Sequence, residues 1–285
     1  MILDRINLKS GDWKASILPD FGGNLASLSF RGENLLRLPK KEEERSETPF
    51  LYGSPLLLPP NRTRDGIFCF RGVQYELPVN EKEKNNHLHG LFYNAPFSII
   101  SETKERCILC HQNRGNRYPF RFTILLTYLL SGEGLKLEAK VQNDDDRAMP
   151  VVLGFHTTFV EPSICAVPIE RRWERDERFL PTGRMLPLDT FEEKLKTGCR
   201  IGKKKLAGYY TCVGHQVKVG SFLMTTSDAF NQFVLFNGGG NQGYVCIEPQ
   251  TGPVNGLNYA DGYQIIESGQ TEKYWIHFSL ESGLE

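Results

Sequence analysis

Three short segments each hold a proton-handling side chain beside turn-forming residues: Asn86-His87-Leu88-His89-Gly90, Gly154-Phe155-His156-Thr157-Thr158 and Cys246-Ile247-Glu248-Pro249-Gln250. An imidazole both donates and accepts near pH 7, because its unperturbed pKa is about 6.5. A carboxylate serves as the base where its surroundings raise its pKa. Two imidazoles and one carboxylate are thus sufficient to move protons at neutral pH without a metal or cofactor.

Each of these residues also has a purely structural reading. Glu248 follows the apolar run Tyr244-Val245-Cys246-Ile247, which puts it at a sheet edge or a cleft rather than mid-surface. His156, between Phe155 and Thr157, fits a hydrogen-bonded core position. His87 and His89 are two apart, so on a strand both face the same way. That spacing also suits a metal, but no His-x-x-x-His or paired-cysteine pattern supplies the remaining ligands. Cys107-Ile108-Leu109-Cys110-His111 matches a c-type haem attachment pattern. Residues three apart on a strand point to opposite faces, however, and the segment reads as strand. Gly238-Gly239-Gly240 lacks the Lys and Ser/Thr of a phosphate loop and reads as a turn.

The elements that must position these groups are strands. Apolar and polar residues alternate through Leu135-Lys136-Leu137-Glu138-Ala139-Lys140-Val141-Gln142, the pattern of a half-buried antiparallel strand. Ser131-Gly132-Glu133-Gly134 joins it to 122–130 as a hairpin. Further strand-like runs cover 13–18, 69–77, 97–101, 217–225, 233–236 and 274–280, separated by Gly, Pro, Asn and Asp clusters. Helical turns are expected only near 40–47 and 189–195. Many short strands, no fixed-period repeat and no linker predict an all-β fold, a large antiparallel sandwich or barrel, in one domain over 1–285.

Composition narrows the partners. Lys+Arg and Asp+Glu both number 34, giving a formal net charge of zero. A duplex nucleic-acid binder normally carries a basic surplus, so no nucleic acid is expected. No run approaches the ~18 apolar residues of a membrane span, and the N-terminus carries no secretory pattern. Seven irregularly spaced cysteines fit a reduced, cytoplasmic setting. Asn61-Arg62-Thr63 matches a glycosylation sequon that has no use in such a setting.

In chain order, Pro59-Pro60-Asn61-Arg62-Thr63-Arg64-Asp65-Gly66, Asn86-His87-Leu88-His89-Gly90, Gly154-Phe155-His156, Pro181-Thr182-Gly183 and Cys246-Ile247-Glu248-Pro249-Gln250 form a set. With this set the chain resembles the aldose 1-epimerase (galactose mutarotase-like) family from about residue 10 to 280. The resemblance implies a large β-sandwich, a small-molecule sugar substrate in a cleft, and interconversion of the α and β anomers of a free hexose. It implies no metal or organic cofactor, and a monomer or homodimer. Carried over to this sequence, Glu248 is the general base and His156 the general acid. His89 hydrogen-bonds the sugar near its ring oxygen, and Arg62 binds substrate. The chemistry implied puts a carboxylate on one side of the pyranose and an imidazolium on the other. One departure is visible: the family's sugar-gripping Asp has no counterpart in Leu206-Ala207-Gly208-Tyr209-Tyr210.

Two other functions stay open at this point. One is a carbohydrate-binding protein that has kept the sandwich without the catalysis, since fold does not fix function. The other is a hexose-6-phosphate 1-epimerase. The run Glu170-Arg171-Arg172-Trp173-Glu174-Arg175-Asp176-Glu177-Arg178 reads most simply as a solvated surface segment. Alternatively, Arg171, Arg172 or Arg175 holds a phosphate on the sugar's 6-position.

Overall fold

Alternating polarity becomes alternating exposure. Along Gly134–Asn143 the side chains of Leu135, Leu137, Ala139 and Val141 are buried, while those of Lys136 and Gln142 are exposed. The structure, a computed structural model, describes residues 4–281. This strand lies inside an eight-stranded sheet ordered Ser98–Glu102, Arg106–Arg114, Arg121–Ser131, Gly134–Asn143, Thr271–Leu280, Phe222–Thr226, Gln216–Val219, Cys165–Ala166. A second sheet runs Pro181–Leu186, Ile169–Arg175, Ala207–Cys212, Gln232–Phe236, Tyr244–Gln250, Gly154–Phe155, Leu56–Leu57. Thr157–Val160 also pairs with Tyr244–Gln250, and neighbouring strands run antiparallel in both sheets.

The two sheets meet through their inner faces. Phe159 of the second packs on Phe278 of the first, ring centroids 6.2 Å apart. Phe230 bridges Phe155 and Tyr274 at 6.1 and 6.4 Å. Removing one such fully buried ring typically costs ~3–5 kcal/mol. The molecule is a large antiparallel β-sandwich, as its strand pattern predicts.

The outer face of the second sheet is covered as well. Tyr209, Val234 and Val254 form a small apolar cluster there, with Trp173 packed against it, separate from the main core. Tyr244–Gln250 is therefore buried at all seven positions, with Val245 and Ile247 in the core and the alternate side chains on the covered outer face. Those alternate positions include Glu248.

Among the described residues the two α-helices, Glu43–Glu47 and Thr190–Thr197, fall where helical turns are expected. The second begins with a capping box. The Phe191 and Glu192 amides both donate to the Asp189 carboxylate at 2.8 Å, and the Asp189 amide donates to Glu192 at 2.7 Å. No helix among the described residues is long and apolar enough to cross a membrane.

Two expectations need correction. The runs 69–77 and 217–225 are not single strands but hairpins, Ile67–Phe70 with Val73–Glu76 and Gln216–Val219 with Phe222–Thr226. Two-residue turns take so little chain that alternation continues through them; Arg71 (φ 49°) and Gly72 (φ 80°), and Gly220 (φ 63°), provide the left-handed backbone these turns require. The charged run from Glu170, expected as a solvated surface segment, is half-buried or exposed throughout and forms the strand Ile169–Arg175 and the turn after it. Polar partners hold it, with Arg172 on Glu192 (2.9 Å) and Arg178 on Asp65 (2.8 Å).

Candidate active site

Antiparallel register brings the central pair together. Gly154 pairs with Gln250 and Thr157 with Ile247, so the same register sets His156 directly opposite Glu248. Side chains directly opposite on adjacent strands share one face of the sheet. His156 Nε2 lies 3.2 Å from Glu248 Oε1. The His156 amide donates to the Pro55 carbonyl at 3.0 Å, which fixes the backbone at this point. Beyond Glu248 the registers continue to Val234 and then Tyr209. His156, Glu248, Val234 and Tyr209 thus form a row across four neighbouring strands.

That row is the floor of a cleft of about 600 Å³, within the size range of small-molecule sites. Phe50 forms one wall, with its ring centroid 4.4 Å from that of His89 and 5.7 Å from that of His156. Asn61, Arg62, Leu88 and His89 form another. All four side chains singled out from the sequence, Glu248, His156, His89 and Arg62, line this one cleft.

His89 reaches it by leaving its strand. Asn86–Leu88 is extended, but His89 has φ 63° and turns its ring inward, 5.1 Å from that of His156. His87 stays in the strand and places Nδ1 2.7 Å from the Pro78 carbonyl. The expected same-face pair of histidines is therefore incorrect, because alternation stops where the backbone becomes left-handed. Among the described residues, no group of three or more His, Cys, Asp or Glu is placed to hold a metal ion. In the Cys107–Cys110 segment, Cys107 is buried and Cys110 half-exposed, the opposite facing expected of a strand.

The hydrogen bonds assign His89 its tautomer. The Asn61 amide donates to His89 Nδ1 at 3.3 Å, so Nε2 carries the proton of the neutral ring. Burial first, then the nearby His156 and Arg62, hold the His89 pKa well below the usual histidine value. His89 is thus a neutral donor at the cleft.

Arg62 is only partly available. Its Nε and Nη2 form a two-pronged pair with Glu81 at 2.8 and 2.6 Å, and Asn86 donates to the same carboxylate at 2.9 Å. Nη1 donates to the Tyr209 phenol oxygen at 3.0 Å and to Asn61 Oδ1 at 3.3 Å. The guanidinium fork that would grip vicinal sugar hydroxyls is occupied by Glu81. Of the five guanidinium N–H groups, only the second on Nη2 remains for a ligand.

Burial dominates the electrostatics of the central pair. It raises Glu248 to about 8, against the opposing pull of Arg62 and of a hydrogen bond from Gln250. It lowers His156 to about 3, with only the residue's own carbonyl opposing. Both shifts favour the uncharged forms. The pair consequently holds one proton over a wide span of pH.

Three residues of the site escape sequence reading. Glu81 lies among charged neighbours that suggest a solvated run. Phe50 belongs to no motif. Tyr209 occupies the stretch where an acid is missed, and its phenol is buried beside Arg62.

The chain as a whole is similar to known proteins. The sequence profile described as aldose 1-epimerase matches residues 4–279. The Escherichia coli (strain K12) protein YihR is 25% identical over 289 residues, which cover 95% of this chain and 92% of that one. A galactose mutarotase-like protein from Clostridium acetobutylicum superposes with a TM-score of 0.89 at 25% identity, covering 96% of this chain and 94% of that one. Galactose 1-epimerase from Lactobacillus acidophilus shares the fold, with a TM-score of 0.81 at 19% identity and coverage of 98% and 94%. A profile match over nearly the whole length, on a fold shared with these proteins, makes the chain a member of the aldose 1-epimerase family.

Proposed function

We propose that this chain interconverts the α and β anomers of a hexopyranose, with Glu248 as the base and His156 as the acid. Mutarotation removes the proton from the anomeric hydroxyl and protonates the ring oxygen. The ring opens, the C1–C2 bond rotates, and closure delivers the hydroxyl on the other face. Both oxygens are bonded to the same carbon, so the base and the acid must work side by side. The 3.2 Å contact between His156 and Glu248 on the floor of a hexose-sized cleft is the observation that carries the reading. It replaces the expectation of groups on opposite sides of the sugar.

The proton count balances. With one proton on the pair, the carboxylate–imidazolium form takes the hydroxyl proton onto Glu248 and gives the imidazolium proton to the ring oxygen. Ring closure runs the same transfers backwards. His89 Nε2–H and the remaining Nη2 N–H of Arg62 bind sugar oxygens. A raised carboxyl pKa makes Glu248 a stronger base once ionised, and a protein that only binds sugar gains nothing from a buried carboxyl–imidazole pair that costs stability.

The test is polarimetry of freshly dissolved α-glucose and α-galactose against buffer. Acceleration supports the assignment. Sugar binding without acceleration would leave a carbohydrate-binding protein.

A further inference from the structure

Of the seven cysteines, all free thiols, only Cys165 and Cys199 stand directly opposite each other among the described residues. Cys165 lies in the edge strand Cys165–Ala166 of the first sheet, and Cys199 follows the helix Thr190–Thr197. Gly198 (φ 118°) ends that helix, its amide donating to the Lys194 carbonyl at 2.8 Å, and the chain turns back onto the strand. The Cys165 amide donates to the Cys199 carbonyl at 2.8 Å, and the Cys199 amide to the Cys165 carbonyl at 3.0 Å. Residues that exchange both bonds form an antiparallel pair with Cα atoms about 5.5 Å apart and side chains on one face. Beyond the pair, the Val167 amide donates to the Leu195 carbonyl at 3.1 Å, which keeps helix end and strand in step.

This spacing suits a covalent link. A disulfide spans Cα separations of about 4.4–6.8 Å. Directly opposed Cβ atoms lie about 4.5–5.5 Å apart and a disulfide holds them at about 3.5–4.5 Å, so closure asks for an approach of about 1 Å. On its other side Cys165 is held in register with Val219, whereas Cys199 sits in an isolated bridge outside any strand and is the one that moves. The two thiols also differ as exchange chemistry requires. Cys165 is buried, and burial raises its pKa to about 12, with the Cys199 thiol acting in the same direction. Cys199 is half-exposed, and the Lys194 ammonium opposes the effect of burial there. An exposed thiol beside a cation is the one that meets an oxidant first.

From these placements we infer that Cys165 and Cys199 are a reversible disulfide site, closed by exchange with a low-molecular-weight disulfide such as oxidised glutathione. The Cys199 thiolate attacks one sulfur of the reagent, and one glutathione leaves as its thiolate. Cys165 then gives up its proton and attacks Cys199 Sγ, releasing the second glutathione. The protein loses two protons and two electrons, and the reagent gains both as two thiols. The link closes a loop of roughly 35 residues. That loop contains the strands Ile169–Arg175 and Pro181–Leu186 and the helix Thr190–Thr197, and it brings Arg175 and Phe179 to the cleft. The disulfide fastens its base. In a reducing setting such a bond is transient, made under oxidation and reopened by thiols. The inference is independent of the reaction at the cleft.

The experiment treats the folded full chain with oxidised glutathione at mildly alkaline pH, quenches with acid and maps the cysteines by peptide mass spectrometry. The peptides of Cys165 and Cys199 should appear joined, with the loss of two hydrogens. Tm should rise by roughly 5–10 °C on oxidation and return with dithiothreitol. Cys199→Ser and Cys165→Ala should each abolish the rise; if the buried Cys165 variant fails to fold, the half-exposed Cys199 variant carries the test. Cys199 that stops at the glutathione adduct overturns the inference. So does modification of the exposed Cys69 with Cys165 and Cys199 untouched, a link that forms only after unfolding in urea, or a rise in Tm that persists in Cys199→Ser.

Discussion

His156 and Glu248 face each other across two adjacent antiparallel strands, with Nε2 and Oε1 3.2 Å apart. The contact follows from register, since one rung of the sheet delivers both groups to the same face. Their separation in sequence is irrelevant to it. A shift of either strand by one residue would turn its side chain into the core and abolish the pair.

Removing the proton acceptor should stop the chemistry and spare the fold. Glu248→Gln keeps the size and a hydrogen-bonding group but cannot take a proton from the anomeric hydroxyl. Polarimetry should record a loss of about 10²–10⁴-fold in kcat. Sugar affinity by calorimetry should stay within a fewfold. Retained full activity would remove Glu248 from its role as base.

The pH profile follows from the proton inventory of the pair. Glu248 is raised to about 8 and His156 lowered to about 3, so the singly protonated pair spans the interval between them. The active carboxylate–imidazolium form is a fixed fraction of that population. kcat/KM should therefore be level through the interval and fall with unit slope above about 8, as the last proton leaves. A bell centred near the usual histidine pKa, measured with glucose, would contradict a coupled pair.

How much of this was legible in the sequence depends on the range of the interaction. Strand alternation is local, so the sandwich, its Arg121–Ser131 and Gly134–Asn143 hairpin and the helical turns near 189–195 could be read along the chain. Residue type and setting single out His89, His156 and Glu248; their roles, and Arg62, come only from the family resemblance, and the convergence of all four on one cleft is long-range. His87 and His89 show where local reading fails: alternation gives them one face, and a single left-handed residue separates them. Glu81, Phe50 and Tyr209 carry no local signal, because each gains its place from partners distant in the chain, as Tyr209 does from Arg62.

Glu81 is a positioning residue whose loss should resemble damage to Arg62. Two of its oxygens hold the guanidinium and the Asn86 amide. Glu81→Gln leaves Arg62 half-buried with a weaker partner and freer to rotate. KM should rise about tenfold with a smaller change in kcat, the mark of lost binding rather than lost chemistry. Arg62→Lys should not restore the wild-type KM, since a single ammonium cannot span Glu81, Asn61 and Tyr209 together. Equal effects on kcat and KM in the Glu81 variant would point to a role in the transition state.

The central pair should also cost stability, in a way that depends on pH. The folded-state pKa of Glu248 lies above the unfolded value of 4.5, so the folded protein holds this proton more tightly. Stability from that group is complete below pH 4.5 and is lost as pH rises toward about 8. His156 has the opposite sign: its lowered pKa costs stability as pH falls from 6.5 toward about 3. The Gln variant at 248 removes only the alkaline-side loss. In urea unfolding it should be more stable than wild type by up to about 3 kcal/mol at pH 7. The gain should grow from pH 4.5 to about 8, level off above, and vanish below 4.5. A gain independent of pH would mean that packing of the amide, and not the buried carboxyl, sets the difference.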